Sequence, residues 1–150
     1  MNKNIFSLLT CFTAILFLSG SCGKDDDPPA PTKTELITQS TWRFQSATYN
    51  GIDVSTSPQL ACFIDNTVIF TPTNYTVSEG SVICSPTTAG TNTWTFQSGE
   101  TVLAMGTTLI PGGSGTFTIV SLTSTNLVLQ QTATIPPSPT PGTVVLTFKH

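Results

Sequence analysis

Chemistry in this chain of 150 residues would have to start from four cysteines, one histidine and eight carboxylates. Serine and threonine hydroxyls are plentiful, but a hydroxyl nucleophile needs a base beside it. The histidine is His150, and a chain end is expected to hold it too loosely for that task. Glu35, Asp53, Asp65, Glu79 and Glu100 lie on separate elements, and nothing in their spacing pairs two of them as acid and base. Asp65 reads better as a turn or hydrogen-bonding residue. No run clusters oxygen ligands as a calcium loop does, and no cysteine has a second Cys or a His at zinc spacing. The Gly-rich run at 111–115 leads into a strand pattern, whereas a phosphate loop opens a helix. These residue types argue against an enzyme, a metal site and a bound cofactor.

Charge narrows the partners further. Charged residues make up 9% of the chain, against roughly 25% in an ordinary soluble domain. The formal charge of −3 has the wrong sign for a nucleic-acid surface, which needs basic groups to displace counterions. Thr, Ser, Gly and Pro replace the missing charges, so the polar surface is mainly hydroxyl.

The start of the chain has the layout of a secretory signal peptide: Lys3, an apolar run from Ile5 to Leu18, then Ser19, Gly20 and Ser21. The run is shorter than the roughly 20 residues a spanning helix needs. Small residues directly before Cys22 resemble the lipobox of bacterial lipoproteins. That resemblance implies a signal peptide over 1–21 and a lipid on Cys22, and so a partner in the membrane itself. The rival is an ordinary signal peptide cut near Ser21, with Cys22 left as a thiol. If Cys11 goes with the signal peptide and Cys22 takes the lipid, Cys62 and Cys84 are left to pair in an oxidising compartment.

Residues 22–34 form an acidic and Pro-rich tether, which resists compact structure and acts as a semi-rigid spacer. Asp25, Asp26 and Asp27 could be solubilising charge alone. With Cys22 and Lys24, however, they resemble an export signal that carries lipoproteins of some Gram-negative bacteria to the outer face of the outer membrane. The expectation is an outer-membrane protein facing the exterior, with a periplasm-facing one as the alternative.

The rest, 35–150, reads as one all-β domain. Thr32 and Glu35 have capping-box spacing, which predicts a short helix over Lys33 to Gln39. Trp42, Phe44, Ser46 and Thr48 alternate with Arg43, Gln45 and Ala47 and predict a half-buried strand, which Asn50-Gly51 turns. Cys62 to Cys84 predicts a hairpin stapled at its open end. Ile64, Val68 and Phe70 share one face of its first strand, and Tyr75, Val77 and Glu79 share a face of the return strand. The reversal falls at Thr71 to Asn74. Further strands are predicted at Thr91–Gln97, Val102–Leu103, Thr107–Ile110, Thr116–Ile119, Asn126–Gln131 and Thr143–Lys149. The Pro-rich 135–142 is a loop, because proline gives a ladder no donor. An immunoglobulin-type sandwich would put a Trp between its cysteines, whereas Trp42 and Trp94 fall outside this pair. A meandering barrel suits the order better.

Trp42, Asn50-Gly51, Cys62-x-x-Asp65, Val68-x-Phe70, Tyr75 and Cys84 together resemble the lipocalin-like domains of small bacterial lipoproteins. Thr93-Trp94-x-Phe96, Ile119-x-Ser121-Leu122 and Leu127-Val128-Leu129 continue the likeness, which covers about 36–150. It implies an up-and-down antiparallel β-barrel of about eight strands with a short N-terminal helix. Trp42, Phe44, Phe70 and Tyr75 are candidate cavity-lining residues, as are Trp94, Phe96, Phe117 and Phe148. The same aromatics could equally fill the barrel, since eight strands permit either. The expected function is a non-enzymatic, membrane-anchored domain that binds a small apolar ligand or a macromolecular partner. The alternative is a structural or adhesive module with a solid core.

Overall fold

A computed structural model describes residues 28–110 and 112–150. The expectations for the signal peptide, for Cys22 and for Lys24, Asp25, Asp26 and Asp27 lie outside the described residues. One antiparallel sheet closes on itself. Helix α1 (Lys33–Thr38) leads into β1 (Thr41–Tyr49) and the two-residue β2 (Ile52–Asp53). A 3-10 turn (Ala61–Phe63) then precedes β3 (Thr67–Phe70) and β4 (Asn74–Ser78). The ring continues through β5 (Gly90–Gln97), β6 (Val102–Met105), β7 (Thr116–Leu122), β8 (Asn126–Ala133) and β9 (Gly142–Lys149). β9 pairs with both β8 and β1, so β1 and β3 to β9 form an eight-stranded up-and-down barrel with β2 appended to β1.

Alternation along each strand produces the core. Leu127 and Leu129 of β8 face Phe148 and Leu146 of β9, Gln131 faces Val144 and Ala133 faces Gly142, and all are buried. Trp42, Phe70, Tyr75, Trp94 and Phe117 complete the interior, each worth roughly 1.5–3 kcal/mol or more on burial. In two places the period slips. Phe44 faces Phe148 and Ser46 faces Thr147, so Gln45 is an extra, bulged residue. Beyond it Ala47 turns inward, fully buried, and the expected inward positions of Ser46 and Thr48 are corrected accordingly. Val120 is a second bulge, 56% exposed, between Ile119 and Ser121 of β7. A bulge bends and twists its strand, which is what closing a small barrel requires.

Helix α1 plugs one end. Its Thr32 cap and Glu35 exchange the reciprocal bonds of a capping box, so the helix begins before residue 35 and the 34/35 boundary cuts through it. Ile37 is fully buried, and Trp42 Nε1–H donates to the Ile37 carbonyl at 2.8 Å. Lys33 donates to Glu100 O in the β5–β6 turn, and Gln39 donates to Ser124 O in the β7–β8 turn at 2.7 Å. The short reversals at 71–73, 98–101 and 123–125 share this end, as antiparallel order demands. At the opposite end the connections are long: 54–66, 79–89, 106–115 and 134–141. They fold inward, burying Leu60, Leu109, Ile110 and Ile135. The predicted strand at Thr107–Ile110 is therefore corrected: no strand forms there, because its apolar residues plug the barrel mouth. Asn50 and Gly51 both take positive φ, 50° and 81°, as a two-residue hairpin turn requires.

Candidate cleft at the loop end

The stapled unit is rearranged relative to its prediction. Cys62 and Cys84 are bonded, with Cα atoms 5.1 Å apart, but Cys62 lies in the 3-10 turn and Cys84 in the β4–β5 loop. The bond therefore ties two loops together beyond the strand ends. Ile64 consequently leaves the core face on which it was expected and is 53% exposed. Asp65 accepts from the Ser81 amide at 2.6 Å, the Ser81 hydroxyl at 2.9 Å and the Val82 amide at 3.3 Å, so its carboxylate is a second tie between the same loops. The Ser81 hydroxyl is the main reason its pKa lies below the usual range. Glu79, just past β4, accepts from the Thr88 amide at 2.7 Å and from the Thr87 and Thr88 hydroxyls. Its pKa is lowered too, chiefly by that amide. A carboxylate in line with Tyr75 and Val77 is thus explained: it buttresses the β4–β5 loop.

Between these loops and the 106–110 segment lies a cleft of about 310 Å³. Its apolar side is Phe63, Leu109, Ile110 and the Cys62–Cys84 bond. Thr87, Thr88, Thr107 and Thr108 bring hydroxyls, and Gln59 and Asn92 bring amides. Thr107 is oriented by Tyr75, whose hydroxyl lies 2.7 Å from Oγ1. Beneath the cleft is an inner space of about 20 Å³ that shares Phe63, Thr88, Leu109 and Ile110 with it. Asn66 lines this inner space and is 4% exposed. Its Nδ2 reaches Thr88 Oγ1 at 3.5 Å, and its Oδ1 is buried without a hydrogen-bond partner. Such an acceptor costs about 1–3 kcal/mol.

The eight candidate cavity-lining aromatics lie in or against the packed interior. Phe44 and Phe148 border the 20 Å³ space. Trp42 and Phe70 border a seam through the barrel centre with no room for a water-sized group. Phe70, Trp94 and Phe96 stack edge to face, with centroids 5.5 and 5.0 Å apart, and Tyr75 and Phe117 are almost completely buried. None of the eight lines the 310 Å³ cleft. Sequence reasoning missed its loop residues because three connections build it. The one signal available was the pair of cysteines on its wall.

His150 is held more firmly than a chain end suggests. Its ring lies 3.7 Å from that of Trp42, centroid to centroid, and Nδ1–H donates to the Thr41 carbonyl at 3.1 Å. Its Nε2 lies 3.0 Å from the Gln39 side-chain amide nitrogen. Its contacts are those of a clasp over the plugged end. Among the described residues no three His, Cys, Asp or Glu side chains gather as a metal site. Compared with known proteins, the chain matches no family model and no curated protein.

Proposed function

We propose that this chain is a non-enzymatic lipoprotein of the outer membrane, anchored through a lipid on Cys22, whose lipocalin-like barrel binds a small, largely apolar ligand at the cell surface. The observation that carries the reading is the polarity of the barrel. The tether joins at Thr32, on the end plugged by α1, while the cleft lies among the long loops at the other end. A domain anchored this way presents its concave, mixed apolar and hydroxyl surface away from the membrane. The ten residues from Cys22 to Thr32 set it at most about 35 Å from the anchor. Several acyl chains would hold it stably, since one chain binds only marginally.

Three measurements test this reading. Cys22→Ser should abolish incorporation of labelled fatty acid and release the domain from membranes. Protease added to intact cells should cleave the domain; full protection beside cleaved surface controls would place it in the periplasm. Native mass spectrometry of the gently extracted protein should find a copurifying small molecule.

The solid interior favours a second reading, a structural or adhesive surface module. Its loop 134–141 is fastened down, with Ile135 buried and the Tyr49 hydroxyl donating to Thr140 O at 2.6 Å. An empty protein in native mass spectrometry would support this alternative.

A further inference from the structure

We infer that the loop-end cleft, and not the barrel interior, is the ligand site, and that it selects an uncharged molecule with an apolar body and a hydrogen-bond donor. This rests on the reading of the domain as a binding module. At about 310 Å³ the cleft reaches the lower end of the roughly 300–1,000 Å³ of small-molecule sites, whereas the barrel seam admits nothing.

Its lining specifies the chemistry. Phe63, Leu109, Ile110 and the disulfide form a continuous apolar side suited to a hydrophobic body. Among the described residues no Lys, Arg, His, Asp or Glu lines the cleft, so a charged group entering it would lose water without gaining a counter-charge. An anion fares worse still, because the Glu79 carboxylate stands behind Thr87 and Thr88 on one wall. The donor preference follows from acceptors already in place. The Thr87 and Thr88 hydroxyls give their hydrogens to Glu79. Thr87 Oγ1 also accepts from the Ala89 amide and Thr88 Oγ1 from Asn66 Nδ2, which leaves each oxygen one further lone pair. Beneath them lies Asn66, which borders the inner space and whose Oδ1 is a buried acceptor without a partner. A ligand hydroxyl or N–H at this wall would be met by the remaining lone pairs of Thr87 and Thr88.

The test uses a matched pair of probes. N-phenyl-1-naphthylamine is neutral, with two apolar ring systems and one N–H. 1-Anilino-8-naphthalenesulfonate is the same skeleton carrying a sulfonate. Both are titrated by fluorescence into the exported full-length chain carrying Cys22→Ser, so that no detergent is needed. The neutral probe should bind saturably and the sulfonate at least about tenfold more weakly. Ala89→Phe and Thr108→Phe, on exposed residues that line the cleft from two different loops, should each weaken the neutral probe at least about tenfold without lowering the melting temperature. Thr95→Phe, on the exposed outer face of β5, should leave binding unchanged. Equal binding of both probes, or undiminished binding in the two cleft variants, overturns the assignment. A copurifying molecule that persists in Ala89→Phe would overturn this site while leaving the binding module intact. A wild-type protein that is empty and ignores the neutral probe overturns both.

Discussion

The carboxylate of Asp65 occupies the space that a side chain at Gly80 would need. A Cβ built on Gly80 collides with Asp65 Cγ and Oδ2 and comes within 2.7 Å of its Cβ, so rotating the carboxylate away does not relieve the overlap. The same carboxylate holds Ser81 and Val82. Gly80→Ala should therefore cost about 1–3 kcal/mol through overpacking. Urea unfolding would show it as a lower midpoint at unchanged slope, and an unaltered midpoint would contradict the tight approach.

Removing the disulfide should cost more. Cys62 and Cys84 are 22 residues apart, and closing such a loop contributes about 3 kcal/mol in the chain-entropy model. Cys62→Ser should lower the melting temperature by many degrees, and a reductant should do the same to the wild type. Because the bond is also a wall of the cleft, reduction at a temperature where the fold survives should weaken probe binding.

Acid should destabilise the protein through its carboxylates. Glu35, Asp53, Asp65 and Glu79 all have pKa values lowered in the folded state by hydrogen bonds from Thr32, Ser55, Ser81 and Thr88 respectively. A group with a depressed folded value adds stability above its ordinary pKa, about 4 for a carboxyl, and loses it as pH falls through the folded value. Stability should be flat from neutral pH to about 5 and should decline below 4. Glu79→Gln should make that decline shallower. A midpoint independent of pH down to 2.5 would remove the carboxylate ties from the account.

Trp42 joins the plug to the barrel. In Trp42→Phe the buried Ile37 carbonyl loses its donor, at about 1–3 kcal/mol, before any packing loss. Hydrogen exchange should show the amides of α1 losing protection before those of β8 and β9. Uniform loss across the domain would mean that α1 is not separately fastened.

Much of the barrel was legible because its strands alternate cleanly. Trp94 and Phe96, Leu127 and Leu129, and Val144, Leu146 and Phe148 announce their faces by period two. The capping box at Thr32 was equally readable, since its chemistry is local. Failures came where one residue breaks the period. Gln45 and Val120 carry no mark distinguishing a bulged residue from an outward one, and only pairing with β9 and β8 reveals them. Leu109 and Ile110 misled for another reason: plug residues on a loop are as apolar as strand residues. The cleft escaped because its residues come from segments 59–63, 84–92 and 107–110, which closure of the sheet brings together.

Closure also bears on how such a domain meets its own copies. An open sheet offers neighbours a free row of amides and carbonyls, the template for edge-to-edge aggregation. In the barrel ring every strand has a partner on both sides, and the appended β2 presents an outer edge of two residues, Ile52 and Asp53. That is too little for another chain to build upon. With a hydroxyl-rich coat in place of strong surface charge, the fold itself, rather than electrostatic repulsion, guards the domain against edge-to-edge pairing.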